Sequence, residues 1–148
     1  MILDYVIIYL GQFKSLTICL IRHIIYKEKV VSRINIEFYD TIEGKCPVAE
    51  FIQSLDAKMQ AKVLRTIDLL EKNGISLREP YSAPLTDGIF ELRIKQGSDI
   101  TRILYFFFVG NKAVFTNGFV KKTQKTPQAE IVLAKKYKAD YERRYQNE

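Results

Sequence analysis

The sequence predicts an α+β domain in which a strand and two helices precede a three-stranded antiparallel meander and a closing helix. Three observations predict it. A short stretch from Ile34 to Asp40 alternates apolar and polar residues, two helical stripes follow between Pro47 and Asn73, and three apolar runs succeed one another from Ile89 to Val120. With 148 residues, 47% hydrophobic and 27% charged, the chain can bury one sizeable core but not two.

The first strand is Ile34-Asn35-Ile36-Glu37-Phe38-Tyr39-Asp40, whose period of two marks a half-buried surface. Thr41 to Lys45 makes a turn. Pro47 suits a first helical turn, and Val48, Phe51, Ile52 and Leu55 keep helical spacing behind it. Asp56 can cap a second helix in which Met59, Val63, Ile67 and Leu70 form one stripe, ended by Asn73-Gly74. Ile75 to Leu85 carries Pro80 and Pro84 and reads as a loop across the body.

Ile89 to Lys95 and Thr101 to Val109 are joined by the hairpin connection Gln96-Gly97-Ser98-Asp99, and Asn111 turns the chain into Ala113 to Val120. Alternation puts Phe90, Leu92 and Ile94 on one face and Glu91, Arg93 and Lys95 on the other. The strand from Thr101 is apolar on both faces after Arg102, as a central strand should be. After Pro127 a last helix docks through Ile131, Ala134, Tyr137, Tyr141 and Tyr145, leaving Lys135, Lys136, Lys138, Arg143 and Arg144 as a solvated face.

The first third differs in character. Met1 to Tyr26 is rich in Ile, Leu, Val and Tyr, but Asp4, Lys14, Arg22 and His23 interrupt it, so no uncharged run reaches the roughly 20 residues that span a bilayer. An early Asp4 also argues against a signal peptide. The expected organisation is an N-terminal extension over residues 1–33, as an upstream start-codon assignment would produce, and a domain over residues 34–148. Cys19, Cys46 and the single His23 form neither a disulfide framework nor a zinc set, which fits a reducing cytoplasm.

Charge narrows the partner. A net charge of +6 and a pI near 9.3 favour nucleic acid, an acidic protein or an anionic surface. The excess is concentrated in Phe119-Val120-Lys121-Lys122-Thr123-Gln124-Lys125-Thr126-Pro127, where three lysines and no acid lie between a strand end and a helix start. Amines, two hydroxyls and helix N–H groups make a seat for phosphate oxygens. The plainer reading of the same run is a solvated lysine-rich turn.

In that element order the sequence resembles the RelE/ParE toxin superfamily, and most closely its phage-derived HigB-like branch. The resemblance runs from about Ile34 to Tyr141. It is carried by Pro47-Val48-Ala49-Glu50-Phe51, by Pro84-Leu85-Thr86-Asp87-Gly88-Ile89-Phe90-Glu91-Leu92-Arg93, by Arg102-Ile103-Leu104-Tyr105, and by Gly118 through Pro127. It implies a RelE-like fold and a cytoplasmic toxin of a two-gene, type II toxin–antitoxin module that cleaves mRNA on the ribosome without a cofactor. The implied partners are that mRNA and a cognate antitoxin, in such modules often a helix-turn-helix protein, with no membrane involved. Carried over to this chain, the catalytic candidates are Arg93, Arg102, Lys121, Lys122 and Lys125, with Lys95, Thr123 and Thr126 as RNA-binding candidates.

Metal-free RNA cleavage needs a base for the 2′-OH, cations for charge developing on phosphorus and an acid for the 5′ oxygen. The lone His23 rules out a histidine pair. Arginine serves as a bidentate phosphate clamp, the role given to Arg93 and Arg102. One of Lys121, Lys122 or Lys125, crowded by like charge, is expected to move the proton. Glu91, sharing a strand face with Arg93, is a rival base, but a cross-strand ion pair is the favoured reading. Tyr105 is expected in the core, as are Phe106, Phe107 and Phe108. Gly97 and Gly118 need only be turn and strand-end glycines. Neither a Gly-rich nucleotide loop nor a nucleophilic Ser or Cys with a base is present. An endoribonuclease leads; a ParE-like gyrase inhibitor and an inactive RNA-binding remnant are the alternatives.

Overall fold

The computed structural model describes residues 33–122 and 125–146. The proposed extension over residues 1–33 lies, except for Arg33, outside the described residues, as do Cys19, His23 and Thr123. The elements are β1 (Asn35–Phe38), α1 (Pro47–Ser54), α2 (Ala57–Asn73), a 3-10 turn (Gly74–Ser76), β2 (Ser82–Pro84), β3 (Ile89–Gln96), β4 (Asp99–Phe108), β5 (Lys112–Val120) and α3 (Gln128–Tyr145). This is an α+β fold consistent with a RelE-like one. Its five-stranded sheet has the order β1-β5-β4-β3-β2, with β1 parallel to β5 and all other pairs antiparallel.

Local sequence explains the helices. Asp56 Oδ1 accepts from the backbone N–H groups of Lys58 at 2.9 Å and Met59 at 3.0 Å, the expected cap. The stripe Met59, Val63, Ile67 and Leu70 is buried. Gly74, at φ +54, ends α2 in a conformation an L side chain resists. Pro47 opens α1, whose Val48 is fully buried.

Both helices cover the sheet face bearing Leu92, Ile94, Ile103, Tyr105, Ala113 and Phe115. On the opposite face α3 packs Ala134 and Tyr141 against Ile89, Leu104, Phe106 and Val114. Burying each such aliphatic or aromatic side chain contributes about 1.5–3 kcal/mol.

Two expectations need correction. The stretch from Ile75 to Leu85 is not all loop: Ser82, Ala83 and Pro84 pair with Leu92, Glu91 and Phe90. Pro84 is tolerated because β2 is the edge strand, where a missing N–H breaks no inner ladder. Nor are the α3 cations simply solvated. Lys135 Nζ forms an ion pair with Asp87 Oδ2, and Lys138 Nζ donates to Asp87 O at 2.7 Å. Arg144 Nη2 donates to Asp40 O at 2.7 Å and its guanidinium lies over the Tyr39 ring. These contacts hold α3 near the start of β3 and the end of β1. The other end of that face, beside the two-residue Gly97-Ser98 turn, carries the candidate site.

Candidate functional site

β3 and β4 place Arg93 directly opposite Arg102. Two cations in such a cross-strand pair repel. Glu91, two residues before Arg93 and therefore on the same face, resolves the conflict. Its Oε1 accepts from Arg93 Nε at 2.8 Å and lies 3.5 Å from Arg102 Nε. Its Oε2 accepts from the Thr126 hydroxyl at 2.6 Å. The residue is 2% exposed, so the carboxylate is buried among its donors.

The arginines are held differently. Arg93, its side chain 29% exposed, also donates through Nη1 to Glu79 Oε1 at 2.9 Å, and Glu79 is a surface residue. Arg102 is buried, its Nη1 donating to Thr101 O at 3.2 Å. Its Nε has no hydrogen-bond partner despite burial, since the approach to Glu91 is too long to make one. A buried guanidinium with an unsatisfied donor costs stability and favours an added anion.

Titration behaviour follows this geometry. Burial alone would push the Glu91 carboxyl up, but the hydrogen bonds from Thr126 and Arg93 and the charges of Arg102 and Arg93 outweigh it, and the group sits below its usual 4.5. Hydrogen bonding to Glu91 holds Arg93 more firmly protonated. Burial, with the like charge of Arg93, lowers Arg102, and Glu91 opposes that. At neutral pH Glu91 is ionised, hydrogen-bonded to Arg93 and Thr126 and close to Arg102, an ion-paired group and a poor general base.

The remaining candidates among the described residues flank this centre along the chain. Lys121, half-buried, fixes the end of the strand by donating its N–H to Ile100 O at 2.7 Å. Lys95, Lys122 and Lys125 are exposed. Thr126 has its hydroxyl on Glu91, so it ties the lysine segment to the arginines. The start of α3, expected to help seat a phosphate, carries Glu130, whose Oε2 accepts from Asn117 Nδ2 at 2.8 Å. That acid sets a negative charge at the helix start, whereas the arginine pair carries an unsatisfied buried donor.

Tyr105 is 1% exposed and shares a 2.6 Å hydrogen bond with Ser82, which places it in the core as expected. Phe106 is buried, with Phe107 and Phe108 half-buried. Sequence reasoning missed Tyr81. Its carbonyl accepts from Arg93 N at 2.7 Å, and it is the one aromatic among the exposed large hydrophobic residues described. Its position in a proline-punctuated stretch hid it, because only the β2 pairing reveals that it stands beside Arg93.

A cleft of about 610 Å³ lined by Tyr39, Ile42, Tyr137 and Asp140, among others, contains none of these candidates. Among the described residues no group of three or more His, Cys, Asp and Glu could hold a metal ion, and no helix is long and apolar enough to cross a membrane.

Comparison with protein families matches residues 50–139 to the family described as phage-derived protein Gp49-like (DUF891). The chain belongs to this Gp49-like family. The match runs from inside α1 to inside α3 and takes in Glu91, Arg93, Arg102, Lys121, Lys122, Lys125 and Thr126. β1 lies outside it. No curated protein matches the chain at a significant level.

Proposed function

We propose that this Gp49-like protein is the toxin of a type II toxin–antitoxin module and acts as a ribosome-dependent mRNA endoribonuclease in the cytoplasm. The observation that carries the reading is the cross-strand pair Arg93 and Arg102, held side by side by one buried carboxylate on a sheet face bordered by lysines. Such a pair suits a phosphodiester. In cleavage the RNA 2′-OH attacks phosphorus, the 5′ oxygen leaves, and both non-bridging oxygens gain charge that guanidinium donors stabilise.

Arg93 clamps and Arg102 supplies the buried charge. Lys121, Lys122 and Lys125 are the groups available to transfer protons, while Lys95 tracks the backbone and Tyr81 offers an exposed ring for a base. Glu91 orders the arginines and takes no proton. The ribosome supplies substrate geometry, and the neutralising partner is a cognate antitoxin of the helix-turn-helix kind.

Mapping new mRNA 5′ ends after induction tests this. Cuts within translated codons that disappear in Arg93→Ala and Lys122→Ala are the expected result. Growth arrest with DNA damage and no new ends would overturn it in favour of gyrase inhibition, and no effect would leave an inactive RNA-binding protein.

A further inference from the structure

Lys121 and Thr126 are held by unlike bonds. At one end Lys121 N donates to Ile100 O at 2.7 Å, which continues the β4–β5 ladder. At the other, Thr126 Oγ1 donates to Glu91 Oε2 at 2.6 Å, across 35 residues of sequence. Arg102 lies two residues beyond Ile100, and Arg93, its cross-strand partner, lies two residues beyond Glu91. The arginine pair therefore sits between the two anchors.

This arrangement answers an electrostatic problem. Lys121, Lys122 and Lys125 carry the same charge as the two arginines, and the Thr126 bond to Glu91 works against that repulsion. The carboxylate that pairs with both arginines also receives the Thr126 hydroxyl, so one buried group performs both tasks. A hydroxyl on an ionised acceptor is among the stronger hydrogen bonds available. Threonine holds it with a stiff χ1.

We propose that Thr126 is a positioning residue, its bond to Glu91 being a latch that holds the chain at Lys125 and Thr126 beside the arginine pair. Its effect on cleavage rests on the ribonuclease reading above, whereas the latch itself does not. Thr126→Val keeps the shape and removes the hydroxyl; Thr126→Ser keeps the hydroxyl.

Two readouts on the full-length chain separate these claims. In limited trypsinolysis followed by mass spectrometry, cleavage after Lys121, Lys122 and Lys125 is expected to be roughly 10-fold faster in Thr126→Val, and close to wild type in Thr126→Ser. The melting temperature should fall in Thr126→Val, because the buried Glu91 carboxylate loses one of its two short hydrogen bonds, and return in Thr126→Ser, so the trypsin rates are compared well below both transitions. In ribosome-programmed mRNA cleavage, kcat should fall roughly 10- to 100-fold in Thr126→Val with little change in KM, and serine should restore it.

Equal trypsin rates in wild type and Thr126→Val would overturn the latch. Faster trypsin cleavage with unaltered kcat would overturn its positioning role. A wild type that cuts no mRNA would instead overturn the ribonuclease reading, and the trypsin comparison would still decide the latch.

Discussion

Glu91→Gln probes the centre of the site at almost constant size, exchanging one carboxylate oxygen for an NH2 and removing one charge. The carboxylate is 2% exposed and faces Arg93 Nε at 2.8 Å, Thr126 Oγ1 at 2.6 Å and Arg102 Nε at 3.5 Å. Glutamine retains one acceptor, so one of the two short bonds is lost and the new NH2 is set against a donor. A hydrogen bond to a charged group contributes about 1.5–3 kcal/mol, and removing one partner of a buried ion pair costs about 3–5 kcal/mol.

Arg93 is partly exposed and keeps Glu79, which softens its share. Arg102 has no other carboxylate partner among the described residues, and its side chain is only 10% exposed. The expected loss is therefore about 2–3 kcal/mol, or a melting temperature lower by about 6–15 °C for a domain of this size. Thermal and urea unfolding of the purified chain at neutral pH, followed by circular dichroism, measures it. Adding Arg102→Gln should cost less in the Glu91→Gln background than alone, since the two share one interaction. A shift under about 2 °C, or simple additivity, would refute the idea that Glu91 organises this face.

The same carboxylate predicts a pH dependence. Because the Glu91 pKa is depressed on folding, its stabilisation is present above the unfolded value and is lost as pH falls through the folded one. The stability gap between wild type and Glu91→Gln should thus narrow below about pH 4.5, and a constant gap down to about pH 3 would contradict this. The carboxyls of Asp87, hydrogen-bonded to Lys135, and Asp140, hydrogen-bonded to Tyr39, are lowered too, but both proteins share them, so the difference isolates Glu91. Gly118→Ala probes packing instead: a methyl there would run into the Phe51 ring, and the glycine's own φ is not positive. A loss of about 1–3 kcal/mol, partly recovered by Phe51→Leu, is expected in urea titrations; an unmoved midpoint would show that α1 lies further from β5.

Much of the framework was legible because its signals are local. Asp56 and Gly74 bound α2 by chemistry that acts within a few residues, and the alternation of Phe90-Glu91-Leu92-Arg93-Ile94 requires Glu91 and Arg93 to share a face once the strand forms. The core placement of Tyr105 follows from its apolar neighbours. What escaped notice is non-local. β2 is three residues long and exists only through pairing with β3, so Pro80 before it and Pro84 at its end dominated the sequence signal. Gly118 read as a strand-end glycine, whereas the ring that requires it comes from α1.

The same distinction applies to the site. Lys135, Lys138 and Arg144 have the spacing of a solvated face, and only tertiary partners at Asp87, Asp40 and Tyr39 distinguish them from it. That Arg93 and Arg102 form a pair depends on the β3–β4 register, which a two-residue turn at Gly97-Ser98 makes readable. The Thr126 bond to Glu91 spans a gap that no periodicity marks. The shared face of Glu91 and Arg93 was thus accessible from pattern, the choice of the two arginines came from the family resemblance, and the Thr126 bond to Glu91 was accessible from neither.

The most direct test of the ribonuclease reading is a map of mRNA 5′ ends in cells expressing the chain, beside otherwise identical cells expressing Lys122→Ala. Lys122 is exposed and outside both apolar cores, so its loss should spare the fold. New ends inside translated codons in the first culture and none in the second is the expected result. Identical cleavage in both would place the chemistry elsewhere on the molecule, and arrest without any new ends would contradict a ribonuclease altogether.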